Sequence, residues 1–215
     1  MMKRIIHILL LSLVALLQAE ARTPMREWLA SMPDSVMPLL VKNRRLDLID
    51  FYDAQMEATV TNLLDGKSRL DTLTDDFIKL SYTGASDVTM KLLPLNDTTD
   101  ILCMVTTMKG KSTINDSRLV FFDEQWEPLK TSVYIDEPCI EDFRSTQQGD
   151  SVQWVWSKLD IFFSTYYLSA ESTELKCVLT TIDYLSADER KEVIPHLRKE
   201  PLTYRWANGK YEAYE

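Results

Sequence analysis

The sequence has little of the residues that build metal and nucleophilic sites. It has two histidines and three cysteines in 215 residues, and the cysteines form no CxxC pair. Only His196 follows the first 21 residues, so a multi-histidine zinc site within one mature chain is excluded. No G-x-S-x-G elbow occurs. Five glycines and the lack of any Ser/Gly-rich or Pro-rich tract exclude a long flexible linker and indicate a compact globular protein.

The chain also lacks a basic stripe. Its net charge is −9, which disfavours phosphate backbones and anionic lipid head groups because both attract Lys and Arg. Arg190-Lys191 and Arg198-Lys199 are interrupted by acidic residues, as on a solvated helix face. The composition therefore predicts no nucleic-acid partner.

The N-terminus carries an export signal. Lys3 and Arg4 precede an apolar run from Ile5 to Leu17, and Ala19-Glu20-Ala21 has the small-x-small pattern of a signal-peptidase site. The run is shorter than the ~20 residues that span a bilayer as a helix. Residues 1–21 are thus predicted to be a signal peptide. The mature chain, from Arg22, is expected to be periplasmic or extracellular in a Gram-negative bacterium, without stable membrane insertion.

Helical patterns come first in the mature chain. Residues 25–32 are predicted to form a helix, Asp34 or Ser35 to cap a short second helix that tolerates Pro38, and residues 44–56 to form an amphipathic helix. After residue 56 the spacing of the apolar residues changes from the helical period to a period of two, which is typical of strands. Predicted strands, separated by turn-rich pieces, cover residues 58–64, 77–82, 88–95, 101–108 and 118–122.

The second half repeats this order on a smaller scale. A short helix is predicted around Val152–Leu159, a hairpin over 161–182, and a helix over 187–197 capped by Ser186. Asn208-Gly209 predicts a closing type I′ hairpin. The fold class is α+β, with N-terminal helices, an antiparallel β-meander, and a smaller helix and strand segment ending in a β-hairpin. Residues 22–215 form one unit, or two packed subdomains (22–135 and 136–215).

Several stretches together resemble a secreted bacterial family, domain of unknown function 3256. They are Ser31–Ser35, Asp47–Tyr52, Leu64–Ser68, Leu73–Asp76, Met90–Asp97, and Tyr204–Trp206 with Gly209-Lys210. The resemblance covers nearly the whole mature chain and implies export and a single family unit. It brings no activity, ligand or catalytic residue.

Paired carboxylates are the main candidate for catalysis. Asp47, Asp50 and Asp53 repeat every three residues along one helix flank, and two such acids can divide acid and base roles in a hydrolase. Exposed ion pairs with Arg44 and Arg45 explain the same pattern, and we favour this structural interpretation.

The remaining motifs favour ordinary structural roles. Gly66-Lys67-Ser68 lacks the glycine that a phosphate-binding loop needs five positions earlier, so it reads as a hairpin turn. His196 suits a helix end. Asp75-Asp76 and the segment 96–100 favour turns over calcium ligation. Cys103 and Cys177 lie in apolar strands, either as free buried thiols or as a disulfide. We predict no catalytic, cofactor or metal residue.

Aromatic residues supply the remaining candidate surface. Six of them lie between positions 154 and 167, and core packing is expected to take about half. Trp154, Phe162, Tyr166 and Tyr167 are predicted to form a ligand or partner surface. The expected function is non-enzymatic binding of a protein or glycan at the bacterial envelope. The alternative is a carboxylate-dependent hydrolase that uses the Asp47/Asp50/Asp53 flank.

Overall fold

The computed structural model describes residues 22–110, 115–145, 154 and 157–214. The predicted signal peptide lies outside these residues and stays a prediction. So does most of the helix predicted around 152–159, although Leu159 is described and buried.

The first half contains two helices and a seven-stranded antiparallel meander. Helices α1 (Met25–Ser31) and α2 (Lys42–Asp53) come before the sheet. Its strands follow one another in chain order: β1 (Thr59–Thr61), β2 (Lys67–Leu73), β3 (Phe77–Thr83), β4 (Ser86–Pro94), β5 (Asp100–Lys109), β6 (Asn115–Phe122) and β7 (Pro128–Leu129).

The second half forms a four-stranded antiparallel sheet with short helices around it. Its strands are β8 (Ser164–Leu168), β9 (Glu174–Leu179), β10 (Leu202–Ala207) and β11 (Lys210–Tyr214), in the spatial order β11-β10-β9-β8. Helix α3 (Thr131–Tyr134) precedes this sheet, and α4 (Ala187–Val193) lies between β9 and β10. One-turn 3₁₀ segments cover Ile140–Phe143, Thr181–Asp183 and Ile194–His196. The predicted α+β class is confirmed.

Strand alternation separates two cores. In β5, Leu102 and Met104 join the first core, under α1 and α2, whereas Cys103 and Val105 join the second core, shared with the four-stranded sheet. A strand with both faces buried must be apolar at nearly every position, and β5 is apolar from Ile101 to Val105. The four-stranded sheet thus packs on the face of β4–β6 opposite the helices.

Two polar contacts tie the layers together. The indole N–H of Trp206 in β10 donates to the carbonyl of Pro94 in β4 at 2.7 Å. The ammonium of Lys91, also in β4, is buried and lies 2.7 Å from Asp76 and 3.2 Å from the carbonyl of Ala170, in the β8–β9 loop. Residues on both sides of the predicted subdomain boundary at 135/136 therefore share the second core. The division into two subdomains stays a prediction.

Several predicted elements are confirmed with small shifts. The α4 capping box forms, because Ser186 Oγ accepts from the Glu189 amide and the Glu189 carboxylate accepts from the Ser186 amide. The closing hairpin also forms, with Asn208 at φ 52° and Gly209 at φ 76°, as a type I′ turn requires. The predicted helix over 187–197 ends earlier, at Val193, and continues as the 3₁₀ turn before Leu197.

Three local predictions were wrong. No helix follows Asp34; turns occupy residues 34–40, and the Asp34 carboxylate accepts instead from the amide of Lys42 at the start of α2. Helix α2 ends at Asp53, so Met56 lies outside it and is 60% exposed. Strand β2 was not predicted, because Lys67–Leu73 mixes charged and apolar residues without a strong β-branched signal.

Candidate functional site

The outer face of the four-stranded sheet is the most distinctive open surface that the structure describes. On each strand one set of side chains enters the second core, including Tyr166, Cys177, Tyr204 and Tyr211. The alternate set lies on the other face, where all members except the buried Thr165 are exposed or half-buried. We define the outer face by the exposed and half-buried members of this alternate set: Tyr167, Glu174, Lys176, Val178, Thr203, Arg205, Ala207, Lys210, Glu212 and Tyr214.

Register aligns these side chains in rows. Tyr167 pairs with Lys176, Lys176 with Thr203, and Thr203 with Tyr214, which gives one row across all four strands. With strands about 4.8 Å apart, the row runs roughly 14 Å from Tyr167 to Tyr214. A second row sets Arg205 between Glu174 and Glu212.

Three exposed cations form a diagonal across this face. Lys176 in β9, Arg205 in β10 and Lys210 in β11 are diagonal neighbours in the register, which corresponds to steps of about 7–8 Å. Among the described residues, no carboxylate lies within 4 Å of any of the three in an ion pair. We call this set the cationic diagonal.

Tyr214 is held in place at one end of the face. The guanidinium carbon of Arg205 lies 5.6 Å from the centre of the Tyr214 ring, and the Tyr214 hydroxyl donates to the Glu174 carboxylate. That hydrogen bond favours the neutral phenol and raises the pKa of Tyr214. One acidic group of the face, Glu174, is therefore already engaged.

The predicted aromatic surface is only partly present. Tyr167 is 52% exposed on the outer face, but its neighbour Tyr166 is 5% exposed and lies in the second core. Adjacent strand residues point to opposite faces, so both could not line one surface. Burial raises the pKa of Tyr166. Tyr166 must be removed from the predicted surface.

Trp154 and Phe162 are exposed but rest on other elements. The Trp154 ring meets the imidazole of His196 edge-on at 5.8 Å, and the ammonium of Lys158 lies 5.4 Å from its centre. Phe162 contacts the ring of Phe143 at 6.1 Å. The ring contacts of these two residues are thus with a 3₁₀ segment each, whereas Tyr167 lies in strand β8.

The Asp47/Asp50/Asp53 flank lies on the exposed side of α2. Asp47 pairs with Arg44 at 3.7 Å, as predicted. Asp53 accepts two hydrogen bonds, at 2.7 and 2.9 Å, from Arg26 in α1, and these bonds lower the pKa of Asp53. Asp47 and Asp50 border a shallow, open depression with Leu46 and Leu63.

The predicted role of Arg45 was wrong. Its side chain is fully buried and donates to the carbonyls of Leu29, Met32 and Leu40 and to the carboxylate of Asp34, instead of forming a surface pair.

No pair of desolvated acids occurs along this flank. Burial raises the pKa of Asp100, which lies in β5 and not on this flank, and Arg22, which donates to Asp100 at 2.7 Å, opposes the shift. A hydrolase of the predicted kind needs two acids in one cleft with separated pKa values. Nothing in this geometry supports the hydrolase alternative.

The other motifs occupy structural positions. Gly66-Lys67-Ser68 runs from a hairpin turn into strand β2, and the Gly66 amide donates to Asn62 Oδ1, so the segment is no phosphate loop. The Asn96 side chain accepts from the amides of Thr98 and Thr99, which is ordinary turn chemistry. Within the described ranges, no group of three or more His, Cys, Asp and Glu side chains could hold a metal ion.

All three cysteines carry free thiols. Cys103 and Cys177 are buried, which favours the free-thiol interpretation over the disulfide, and Cys139 is exposed.

Comparison with known sequences decides the family. The sequence model of a family described as a protein of unknown function (DUF3256) matches residues 16–211. The chain belongs to this family. The resemblance noted in the sequence is thus confirmed, over nearly the whole mature chain. The family description gives no activity.

A solved structure shares the fold. The chain is similar to a domain of an uncharacterized protein from Porphyromonas gingivalis W83, with a TM-score of 0.78 and 28% identity over 90% of this chain and 100% of that chain. No curated protein matches the chain. In the parts of the chain that the structure describes, no helix has the length and apolar character to cross a bilayer.

The sequence had signalled only one residue of the outer face, Tyr167. The cationic diagonal escaped notice because Lys176 is distant in sequence from Arg205 and Lys210, and each cation stands alone among neutral or acidic neighbours. Only the register of β9, β10 and β11 brings them together. A row-by-row alignment of the predicted hairpin strands could have found the pair Arg205 and Lys210.

Proposed function

We propose that this protein is an exported, non-enzymatic binding protein of the bacterial envelope, and that the outer face of its four-stranded sheet is the ligand surface. The observation that carries the proposal is an open sheet face with an exposed tyrosine beside cations that form no ion pair with any carboxylate among the described residues. Tyr167, Lys176 and Arg205 are all exposed on this face, so a flat ring and two cations are open to a ligand. A ligand that covers the Tyr167 ring gains from burial of apolar area, and one that pairs with the cations gains charge-assisted hydrogen bonds.

The proposal accounts for the acidic flank without catalysis. Asp53 and Asp47 are engaged by arginines, and the depression beside them is shallow and open. Small-molecule and catalytic sites are usually concave and enclose most of their ligand. A flat face suits an extended ligand such as a glycan chain or a protein surface.

Cosedimentation with isolated envelopes tests the binding proposal. Protein purified from the native host is mixed with envelopes from a strain that lacks the gene, and the bound fraction is measured against protein concentration. Tyr167→Ala should weaken binding by about fivefold or more, the effect of losing a binding hot spot. The control is Tyr184→Ala, since Tyr184 is also exposed but lies outside the outer face. Equal binding by the two variants would refute the assignment of the surface.

Export is tested separately by the mass of the mature protein. The intact mass of protein from the native host should correspond to a chain that begins at Arg22. Retention of residues 1–21 would contradict export by signal-peptide cleavage.

A further inference from the structure

The centre of the outer face has the wrong composition for a protein interface. Interface cores are depleted in charged residues and filled by aromatic or apolar anchors. Here, charged side chains occupy the middle strands, where Lys176 and Arg205 are exposed, and the two tyrosines lie on the edge strands. Val178 and Ala207 are the aliphatic residues of this face, and both are half-buried. A protein partner would have to desolvate several charges at its centre.

The same arrangement suits a ligand rich in hydroxyl groups. Carboxylate and guanidinium groups exchange hydrogen bonds with hydroxyls, and such charge-assisted bonds are stronger than neutral ones. The exposed ring of Tyr167 offers a flat apolar surface for the C–H face of a sugar ring. Thr203, two strands from Tyr167, and Glu212, on the opposite edge strand, add hydrogen-bond acceptors further across the face.

The charge pattern selects among such ligands. Lys176 and Lys210, at the two ends of the cationic diagonal, have neutral cross-strand neighbours: Tyr167 and Thr203 for Lys176, and Ala207 for Lys210. Of the two glutamates beside Arg205, Glu174 already accepts from the Tyr214 hydroxyl. In a chain of net charge −9, this leaves a local excess of cations spread over about 15 Å.

We infer that the outer face binds an acidic glycan, a chain of sugar rings that carry carboxylates. Tyr167 stacks on one ring, and Lys176 and Lys210 bind carboxylates of rings further along the chain. This inference rests on the proposed function, because it names the ligand of the same surface. The spacing of the cations across three strands matches an extended chain rather than a single anion.

A matched pair of oligosaccharides tests the inference. The probe is a hexamer of galacturonic acid, and its counterpart is the same hexamer fully methyl-esterified, which keeps the rings and removes the charges. Binding to the full mature protein is measured by calorimetry at low ionic strength, where exposed charges are least screened. The acid hexamer should bind at least about tenfold more tightly than the ester.

Variants then place the binding on the outer face. The double variant Lys176→Gln/Lys210→Gln should weaken binding of the acid hexamer by about fivefold and leave binding of the ester unchanged. Tyr167→Ala should weaken binding of both, whereas Tyr167→Phe should retain it. The control is Lys79→Gln, because Lys79 is also exposed in mid-strand between neutral neighbours, Thr72 and Thr89, but lies in the other sheet.

The outcomes separate this inference from the proposed function. Equal binding of acid and ester, or binding that the outer-face variants leave unchanged, would overturn the acidic-glycan assignment. So would equal binding of a single-stranded oligonucleotide with the same number of charges. If neither hexamer binds but Tyr167→Ala still abolishes envelope cosedimentation, the ligand is not an acidic glycan and the proposed function stands. If Tyr167→Ala does not weaken cosedimentation with envelopes, the proposed function itself is refuted.

Discussion

Replacing Arg45 by methionine should remove a large part of the free energy of unfolding. The Arg45 side chain is fully buried in the first core, where its guanidinium donates to three backbone carbonyls and one carboxylate. The distances are 3.1 Å to Leu29 O, 2.6 Å to Leu40 O and 2.9 Å to Asp34 Oδ1, and Met32 O is also in contact. The acceptors come from α1, from the turns after it and from the residues before α2. One side chain therefore fixes the whole N-terminal connection.

The size of this loss in unfolding free energy follows from the hydrogen-bond acceptors that Arg45→Met leaves without a donor. Methionine fills much of the volume but donates no hydrogen bond, so three buried carbonyls lose their donor, at about 1–3 kcal/mol each. Removal of the buried cation also ends its own desolvation cost, which offsets part of this loss. We expect a net loss of about 3–5 kcal/mol, which is a large share of a typical domain's 5–15 kcal/mol. Arg45→Lys should lose about 2 kcal/mol, because one ammonium cannot reach all four acceptors.

The adjacent Arg44 is a matched control. Its side chain is 49% exposed and pairs only with Asp47, at 3.7 Å, so Arg44→Met should change stability by less than about 1 kcal/mol. Urea unfolding followed by tryptophan fluorescence measures the difference, since Trp28 and Trp126 lie in the same core with ring centres 5.5 Å apart. If Arg45→Met and Arg44→Met unfold with equal free energies, the hydrogen bonds of Arg45 do not hold this part of the fold.

Three further perturbations test other parts of the structure. In native protein at pH 8, a thiol reagent should modify Cys139 alone, because the other two thiols are buried. Unfolding in guanidinium should make all three thiols reactive. Rapid modification of more than one thiol in the native protein would contradict the packing. Gly209→Ala should lower the free energy of unfolding in urea by about 1–2 kcal/mol, because φ is +76° and the new Cβ would lie 3.2 Å from a Leu95 methyl. Gly84→Ala, with open space around the new Cβ, should change it little. Equal losses would argue against the positive φ of Gly209. Asp100 and Asp53 should give opposite pH dependences. The pKa of Asp100 is raised in the folded state, so the stability of wild type relative to Asp100→Asn should decrease as the pH rises from about 4 to 7. The pKa of Asp53 is lowered below its ordinary value, so the stability of wild type relative to Asp53→Asn should increase as the pH rises from about 2 to 5 and stay level above that; slopes of equal sign for the two aspartates, each in its own pH range, would refute one of these assignments.

The strands and turns of this protein were largely readable from local sequence. Backbone geometry at Asn208-Gly209 depends on two residues that tolerate positive φ, and the α4 cap depends on Ser186 and Glu189 alone. Alternation with a period of two marked β3 and β4, because it depends only on which side each residue faces, and the continuous apolar run Ile101–Val105 marked β5. Such features need no knowledge of distant parts of the chain.

Local pattern failed where a residue's environment comes from several segments. An arginine beside aspartates one turn away predicts a surface ion pair, yet the acceptors of Arg45 lie 5 to 16 positions away and enclose it only after α1 and α2 pack. The surface predicted from the aromatic run was partly wrong for a similar reason. Tyr166 and Tyr167 are adjacent and chemically identical, so the sequence does not distinguish them. Which of them is buried depends on which face of the four-stranded sheet packs on β4–β6.

The candidate site belongs almost wholly to the tertiary structure. The sequence by itself determined an acidic α+β protein with a meander and a closing hairpin, since composition and short-range periodicity are enough for these features; the export signal that it predicts stays a prediction. The cationic diagonal needs the register of β9, β10 and β11, which joins Lys176 to residues about 30 positions further along the chain. Strand register is set by the combined energy of many side-chain contacts between residues that are far apart in the chain. For that reason the surface on which we place ligand binding emerges only when the two sheets pack together.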